Sequence, residues 1–272
     1  MSKKIISKQK VKKAFSRQAS VYDQHALLQK ESAKRLDFIL SLVEKQPESL
    51  LDIGSGTGFI TARALSRWDK AIINCCDIAH GMNIVAASKF DSDRVSFITG
   101  DAEALPYKDG SFDMIISNLA YQWVNSMAGA FKEVKRALKN EGQLIFSTFG
   151  HRSLQELRDA YSEAFREIKG NDPEHFHFFP TIHQLGDGFS RIGFEDVTVN
   201  ADRIKKLYKN PRELLGNLKD IGAGNAVGSK EKGLGSRRVI KRMEEIYNEK
   251  FSHKEGIYAT FEILFVRAVK RD

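Results

Sequence analysis

The stretch Leu50-Leu-Asp-Ile-Gly-Ser-Gly-Thr-Gly58 constrains this chain more than any other. An apolar run breaks into glycines at three alternate positions and then gives way to helical spacing, which reads as a strand, a tight ligand loop and a helix start. Glycine is needed where backbone turns sharply beneath a ligand, because a Cβ would block either the turn or the close approach. The dinucleotide fingerprint places its third glycine one position later, where this chain has Phe59, so a nicotinamide cofactor is disfavoured. Asp52 at the strand end argues against a pyrophosphate and for a cationic or amine-bearing ligand.

Patterning on both sides of the loop sets the architecture. Apolar positions at helical spacing over 8 to 45, among them Val11, Phe15, Leu28, Leu36 and Leu40, predict two helices before the first strand. Further strands are expected at Ala71 to Asp77, Arg94 to Asp101, Phe112 to Asn118 and Gly142 to Phe149, with a helix from Ala128 to Leu138 between the last two. Phe194 to Val199 and Tyr258 to Val269 complete a set of seven. Such alternation implies the α/β class: a doubly wound, mostly parallel, seven-stranded Rossmann-like sheet with ligands at the carboxyl ends of its strands. The expected organisation is N-terminal helices over 1–46 covering the ligand site, a core over 47–204, a helical cap over 205–255 and the last core strand over 256–272.

Composition narrows the alternatives. With 272 residues, 42% of them apolar, the chain can bury a full core. No run approaches the ~20 apolar residues of a membrane span, and Met1-Ser-Lys-Lys-Ile-Ile lacks the apolar centre of a signal peptide, so a cytoplasmic protein is expected. Cys75 and Cys76 are adjacent within a strand, point to opposite faces and are expected to stay reduced. Forty-three basic against thirty-five acidic side chains leave a net charge of +8. Lys3, Lys4, Lys8, Lys10, Lys12, Lys13 and Arg17 all precede the first acid, Asp23, and Lys230, Lys232, Arg237, Arg238, Lys241 and Arg242 form a second group. Clusters of this kind favour an anionic partner. Neither an appended nucleic-acid-binding domain nor an Asn-Pro-Pro-aromatic tetrapeptide accompanies them, so neither nucleic acid nor membrane is expected as a partner.

The glycine loop resembles the first motif of class I S-adenosyl-L-methionine (SAM)-dependent methyltransferases, and three later sites follow in that family's order. Asp77 ends its strand nineteen residues after Gly58, where a carboxylate can accept the ribose hydroxyls; capping a helix is the plainer role for such an acid. Gly100-Asp101-Ala102 offers adenine an acceptor and a backbone amide, and Ser117-Asn118 ends a strand beside the expected sulfonium. The resemblance implies SAM as cofactor, S-adenosyl-L-homocysteine (SAH) as product, and a binding set of Asp52, Gly54, Gly56, Asp77, Ile78, Met82, Asp101, Ala102 and Asn118. It covers about residues 48 to 150 and leaves the substrate open.

Four further segments carry a narrower likeness: Phe15-Ser-Arg-Gln-Ala-Ser-Val-Tyr-Asp23, Ser117-Asn-Leu-Ala-Tyr-Gln-Trp123, Phe146 to Leu157, and Leu218-Lys-Asp-Ile-Gly-Ala-Gly-Asn225. With them nearly the whole chain resembles the malonyl-[acyl-carrier protein] O-methyltransferases of biotin synthesis. The likeness implies methylation of the free carboxylate of a malonyl thioester on acyl carrier protein, so that the ester can prime elongation toward pimeloyl. It also implies cofactor contacts from Gln18 and Tyr22, and a substrate pocket walled by Gln122 and Trp123. The Gly-Ala-Gly-Asn225 end departs from the Thr and His common in that family, which leaves the acceptor contacts there open. A quinone-ring or other small-molecule methyltransferase is the alternative, since it shares the cofactor half and the Tyr22 pattern.

The acceptor decides what catalysis requires. A carboxylate with a pKa near ~4 is ionised at neutral pH, so attack on a methyl sulfonium needs no general base. A donor or cation must hold its second oxygen; Tyr22, Arg152 and Lys219 are the candidates, with His151 beside them. His175 and His177 share one face of an extended aromatic segment without a third ligand in view, so a lid is expected there and no metal.

Overall fold

The computed structural model describes residues 6–173, 179–220 and 234–271. The amino end carries α1 (Lys8–Gln18), α2 (Tyr22–His25) and α3 (Leu27–Ser41). There are three helices where the spacing predicts two, because buried Ala26 leaves helical geometry at ψ 40° and separates α2 from α3. Then follow β1 (Ser49–Ile53), α4 (Phe59–Arg67), β2 (Ile72–Asp77), α5 (His80–Ala87), β3 (Val95–Thr99) and β4 (Phe112–Asn118). The second half holds α6 (Met127–Ala137), β5 (Leu138–Phe149), α7 (Gln155–Lys169), α8 (Ile182–Ile192) and β6 (Phe194–Tyr208). It closes with α9 (Pro211–Asp220), α10 (Leu234–Lys250), β7 (Ser252–His253) and β8 (Gly256–Lys270).

The strand order is β3-β2-β1-β4-β5-β8-β6, and β1 pairs in parallel with both β2 and β4. The β2–β3 and β4–β5 pairs are parallel as well. Leu50, Leu51, Asp52 and Ile53 are all buried, the continuous run expected of a central parallel strand covered on both faces. Beyond the seven expected strands, two-residue β7 pairs antiparallel with β8. β5 begins at Leu138 instead of Gly142: α6 runs straight into it, and the register against β4 shifts between Phe112 and Met114.

The chain divides into two compact units, the first made of 1–148, 181–201 and 264–272, the second of 149–180 and 202–263. In the first, Tyr121, Phe131, Phe146 and Phe189 pack with ring centroids 4.5 to 5.7 Å apart. Such pairs add roughly 0.5–1.5 kcal/mol each beyond their buried area. Thr181 and Gln184 close a capping box that starts α8.

In the second unit, buried Glu156 accepts the backbone N–H of Thr260 at 3.0 Å and also its hydroxyl. Buried Glu262 receives the Arg152 N–H at 3.2 Å, with His151 Nδ1 at 3.4 Å from the same carboxylate oxygen. The second basic cluster is partly neutralised: Arg242 pairs with Glu167 at 2.5 Å and with Glu245 at 3.2 Å. Arg237, Arg238 and Lys241 remain exposed, whereas Lys230 and Lys232 lie outside the described residues. So do His175, His177 and the Gly222 to Asn225 end of the cap motif. No helix among the described residues is long and apolar enough to cross a membrane.

Candidate active site

The loop after β1 is built by its glycines. Gly54 and Gly56 hold φ of 67° and 56°, the left-handed region that a side chain resists. A Cβ on Gly54 would stand 2.3 Å from the Ala120 Cβ, whereas one on Gly56 would meet nothing within 4 Å. The first glycine therefore lets two loops pack, and the second keeps open space in front of the backbone. The Gly54 N–H bonds the Cys76 carbonyl at 2.7 Å, which ties the loop to the end of β2.

That open space belongs to a cavity at the strand ends, lined wholly from the first unit. Nine residues expected at the cofactor, namely Tyr22, Gly54, Gly56, Asp77, Ile78, Met82, Asp101, Ala102 and Asn118, line it together. Trp123 forms another wall, and its ring meets Phe15 edge to face at 5.5 Å. Three expected residues do not line it. Gln18 ends α1, and Gln122 turns its amide back onto the Leu119 carbonyl at 2.5 Å. Asp52 points away, accepting the Thr61 hydroxyl at 2.6 Å from α4, as strand alternation requires when its neighbour Ile53 faces the cavity. Arg152 and exposed Lys219 belong to the second unit.

Electrostatics follow from burial. Asp77 accepts the Gly56 N–H at 2.9 Å and the Ala79 N–H at 2.7 Å, one on each oxygen. Burial still raises its pKa against those two bonds. A carboxylate has about four acceptor sites, so two remain for hydroxyl donors. Burial also lifts Asp52, against the Thr61 hydrogen bond and helped by the negative charge of Asp77, to about 7. Burial, then Asp77 and Asp23, hold the Tyr22 phenol well above its ordinary value, so it stays a neutral donor. Cys75 and Cys76 are buried free thiols, and burial with the nearby Asp77, Asp101 and Asp52 pushes Cys76 up to about 12.

Asn118 lines the cavity, but its amide is turned to α3. The oxygen accepts the Ser32 and Ser147 hydroxyls at 2.7 and 2.8 Å, and the nitrogen donates to the Gln29 carbonyl at 3.0 Å. The sequence reading missed Lys8, Val11 and Phe15, which close the cavity from α1, together with Leu119, Ala120 and Val124 after β4. Helical spacing of Lys8, Val11 and Phe15 was the available signal. Among the described residues, no group of three His, Cys, Asp or Glu could hold a metal ion.

The residues present fit SAM. Asp77 keeps acceptor capacity beyond its two backbone N–H bonds, and the open space before Gly56 leaves room for a ligand against the backbone. Asp77 and Asp101 supply acceptors, and Met82, Ile78 and Trp123 supply apolar walls.

Sheet order, glycine loop and strand-end acids together define a class I, SAM-dependent methyltransferase. The methyltransferase domain family matches residues 51–146. Among solved structures, the YcgJ protein of Bacillus subtilis superposes with a TM-score of 0.60 at 20% identity, covering 87% of this chain and 98% of that one. Haemonchus contortus phosphoethanolamine N-methyltransferase 2, solved with S-adenosyl-L-methionine, gives 0.54 at 21% identity over 88% of this chain and 53% of its own. Those likenesses concern the fold. Curated relatives go further: malonyl-[acyl-carrier protein] O-methyltransferase of Geobacter sulfurreducens is 33% identical over 96% of this chain and 98% of its own length. Its counterpart in Gallionella capsiferriformans is 35% identical over 99% and 93%. The chain belongs to the malonyl-[acyl-carrier protein] O-methyltransferase family.

Proposed function

We propose that this protein transfers a methyl group from SAM to the free carboxylate of a malonyl thioester borne by acyl carrier protein, yielding the methyl ester that primes pimeloyl and biotin synthesis. The observation that carries the reading is the likeness to enzymes of that name over nearly the full length of both chains. SAM supplies an electrophilic methyl on a sulfonium. The chain's own residues then have three tasks: to bind, to align and to exclude water. Positioning of this kind supplies roughly 7–11 kcal/mol toward a bimolecular step.

A base is not needed, because the acceptor is already an anion near neutral pH. Burial keeps Tyr22 protonated, so it stands in the cavity as a hydrogen-bond donor. Tyr22 is the donor we assign to the acceptor carboxylate, on the ground that it lines the cavity and cannot readily ionise. For the carrier, whose surface is acidic, we propose docking on exposed Arg237, Arg238 and Lys241.

The test is methyl transfer from labelled SAM to malonyl-carrier protein beside free malonate, malonyl-coenzyme A and a demethylated quinone precursor, with products weighed by mass spectrometry. The expected result is a gain of one methyl, as an ester, on the carrier-bound malonyl group. Transfer to the quinone precursor alone would overturn the reading.

A further inference from the structure

α1 roofs the cavity while burying little of itself: Val11 is its one fully buried residue, and Lys10, Lys12, Lys13 and Arg17 are exposed. Its hold depends on specific contacts at its two ends. At the carboxyl end, the edge of Phe15 meets Trp123, and the Gly81 N–H bonds the Ser16 hydroxyl at 3.3 Å. A Cβ on Gly81 would lie 2.8 Å from the Ser16 backbone, so α1 seats closely on α5.

The amino end is held by polar groups. Ile6 is strapped to Asn125 in both directions: its N–H donates to Oδ1 at 2.6 Å and its carbonyl accepts from Nδ2 at 3.2 Å. Lys8 Nζ lies 2.5 Å from Asp101 Oδ2 and 2.6 Å from Glu103 Oε2. Glu103 is itself fixed by the N–H groups of Asn125 and Ser126 at 3.0 and 2.8 Å. One ammonium thus joins the helix that covers the cavity to the loop after β3, and the strap joins the same end to the loop after β4.

We propose that Lys8 is a positioning residue for the cofactor, a latch that closes α1 over the cavity and orients the Asp101 carboxylate toward a bound amino group. The two acceptors matter. Asp101 lines the cavity and Glu103 does not, so a ligand amino group can take an Asp101 oxygen while Lys8 keeps Glu103 and the lid stays shut. Opening the lid requires breaking both pairings, which makes cofactor release the step that the latch slows. This inference rests on SAM in the cavity and is independent of which acceptor is methylated.

The test measures SAH dissociation by stopped-flow fluorescence and hydrogen exchange over residues 6–18. In Lys8→Met, SAH leaves roughly five- to tenfold faster, the range that a half-exposed, two-carboxylate pairing supports, and exchange over 6–18 rises even with SAH bound. Lys8→Arg restores slow release, which a merely structural role for the side-chain stem would not require. Asn125→Ala cuts the strap while leaving Lys8 and also speeds release. Release and exchange unchanged in Lys8→Met, or an equal loss in Lys8→Arg, would overturn the proposal. Neither result would touch the methyl-acceptor assignment, which the transfer assay decides separately.

Discussion

Asp77 accepts the backbone N–H of Gly56 at 2.9 Å, so the carboxylate that ends β2 also fixes the loop that follows β1. The two parts of the cofactor site are thereby one object. Asp77→Asn cannot satisfy both the Gly56 and Ala79 N–H groups in the same way, since one of its terminal atoms is itself a donor. The mismatch costs about 1–3 kcal/mol, so SAH affinity by calorimetry falls by roughly tenfold or more. Unchanged affinity would show that Asp77 serves the fold alone.

The two glycines separate strain from occlusion. Gly54→Ala adds a collision 2.3 Å from Ala120 to an unfavourable φ, so both melting temperature and SAH affinity drop. Gly56→Ala meets open space, so only the ~1–2 kcal/mol of left-handed strain reaches stability while ligand binding suffers beyond it. Equal ratios of the two losses in both variants would remove Gly56 from the binding surface.

A pH signature follows from Asp52. Its carboxyl titrates near 7 in the folded chain and near the ordinary ~4 when unfolded. The folded state therefore keeps a proton that the unfolded chain gives up, and the stability this contributes is complete below about pH 4 and lost as pH rises through about 7. Asp52→Asn stays neutral, so its melting temperature gains on the ligand-free wild type as pH rises from about 4 to about 7 and keeps that advantage above. A pH-independent difference would place Asp52 at an ordinary carboxylate pKa.

Carrier docking is checked by two contrasting variants. Replacing Arg237, Arg238 and Lys241 with Gln raises KM for malonyl-carrier protein and leaves KM for malonyl-coenzyme A in place. Arg242→Gln alone changes little, because that guanidinium is already engaged by Glu167 and Glu245. An unchanged carrier KM in the triple variant would move the docking face elsewhere.

What could be read from the chain alone tracks the range of the interactions concerned. Gly54, Gly56, Asp77 and Asp101 were legible because a parallel sheet forces ligand groups to strand ends, and each sits a fixed step from its own strand. Asp52 was legible as an acid but not in its orientation; the parity of β1 sends it to Thr61 once Ile53 is seen to face the cavity. Lys8 looks identical to its basic neighbours, and its partner Asp101 is 93 residues away. Arg242 finds Glu167 across 75 residues, so a run of basic residues overstated the available charge. The split of the N-terminal helices at Ala26 left no mark, since alanine suits a helix and only packing imposes the break.

The second unit is assembled from two separate segments, 149–180 and 202–263, so the backbone passes between the units four times. A module threaded in this way cannot be exchanged by a single splice or shed by a single cut. A chimera that takes this unit from a related enzyme therefore needs every junction matched at once.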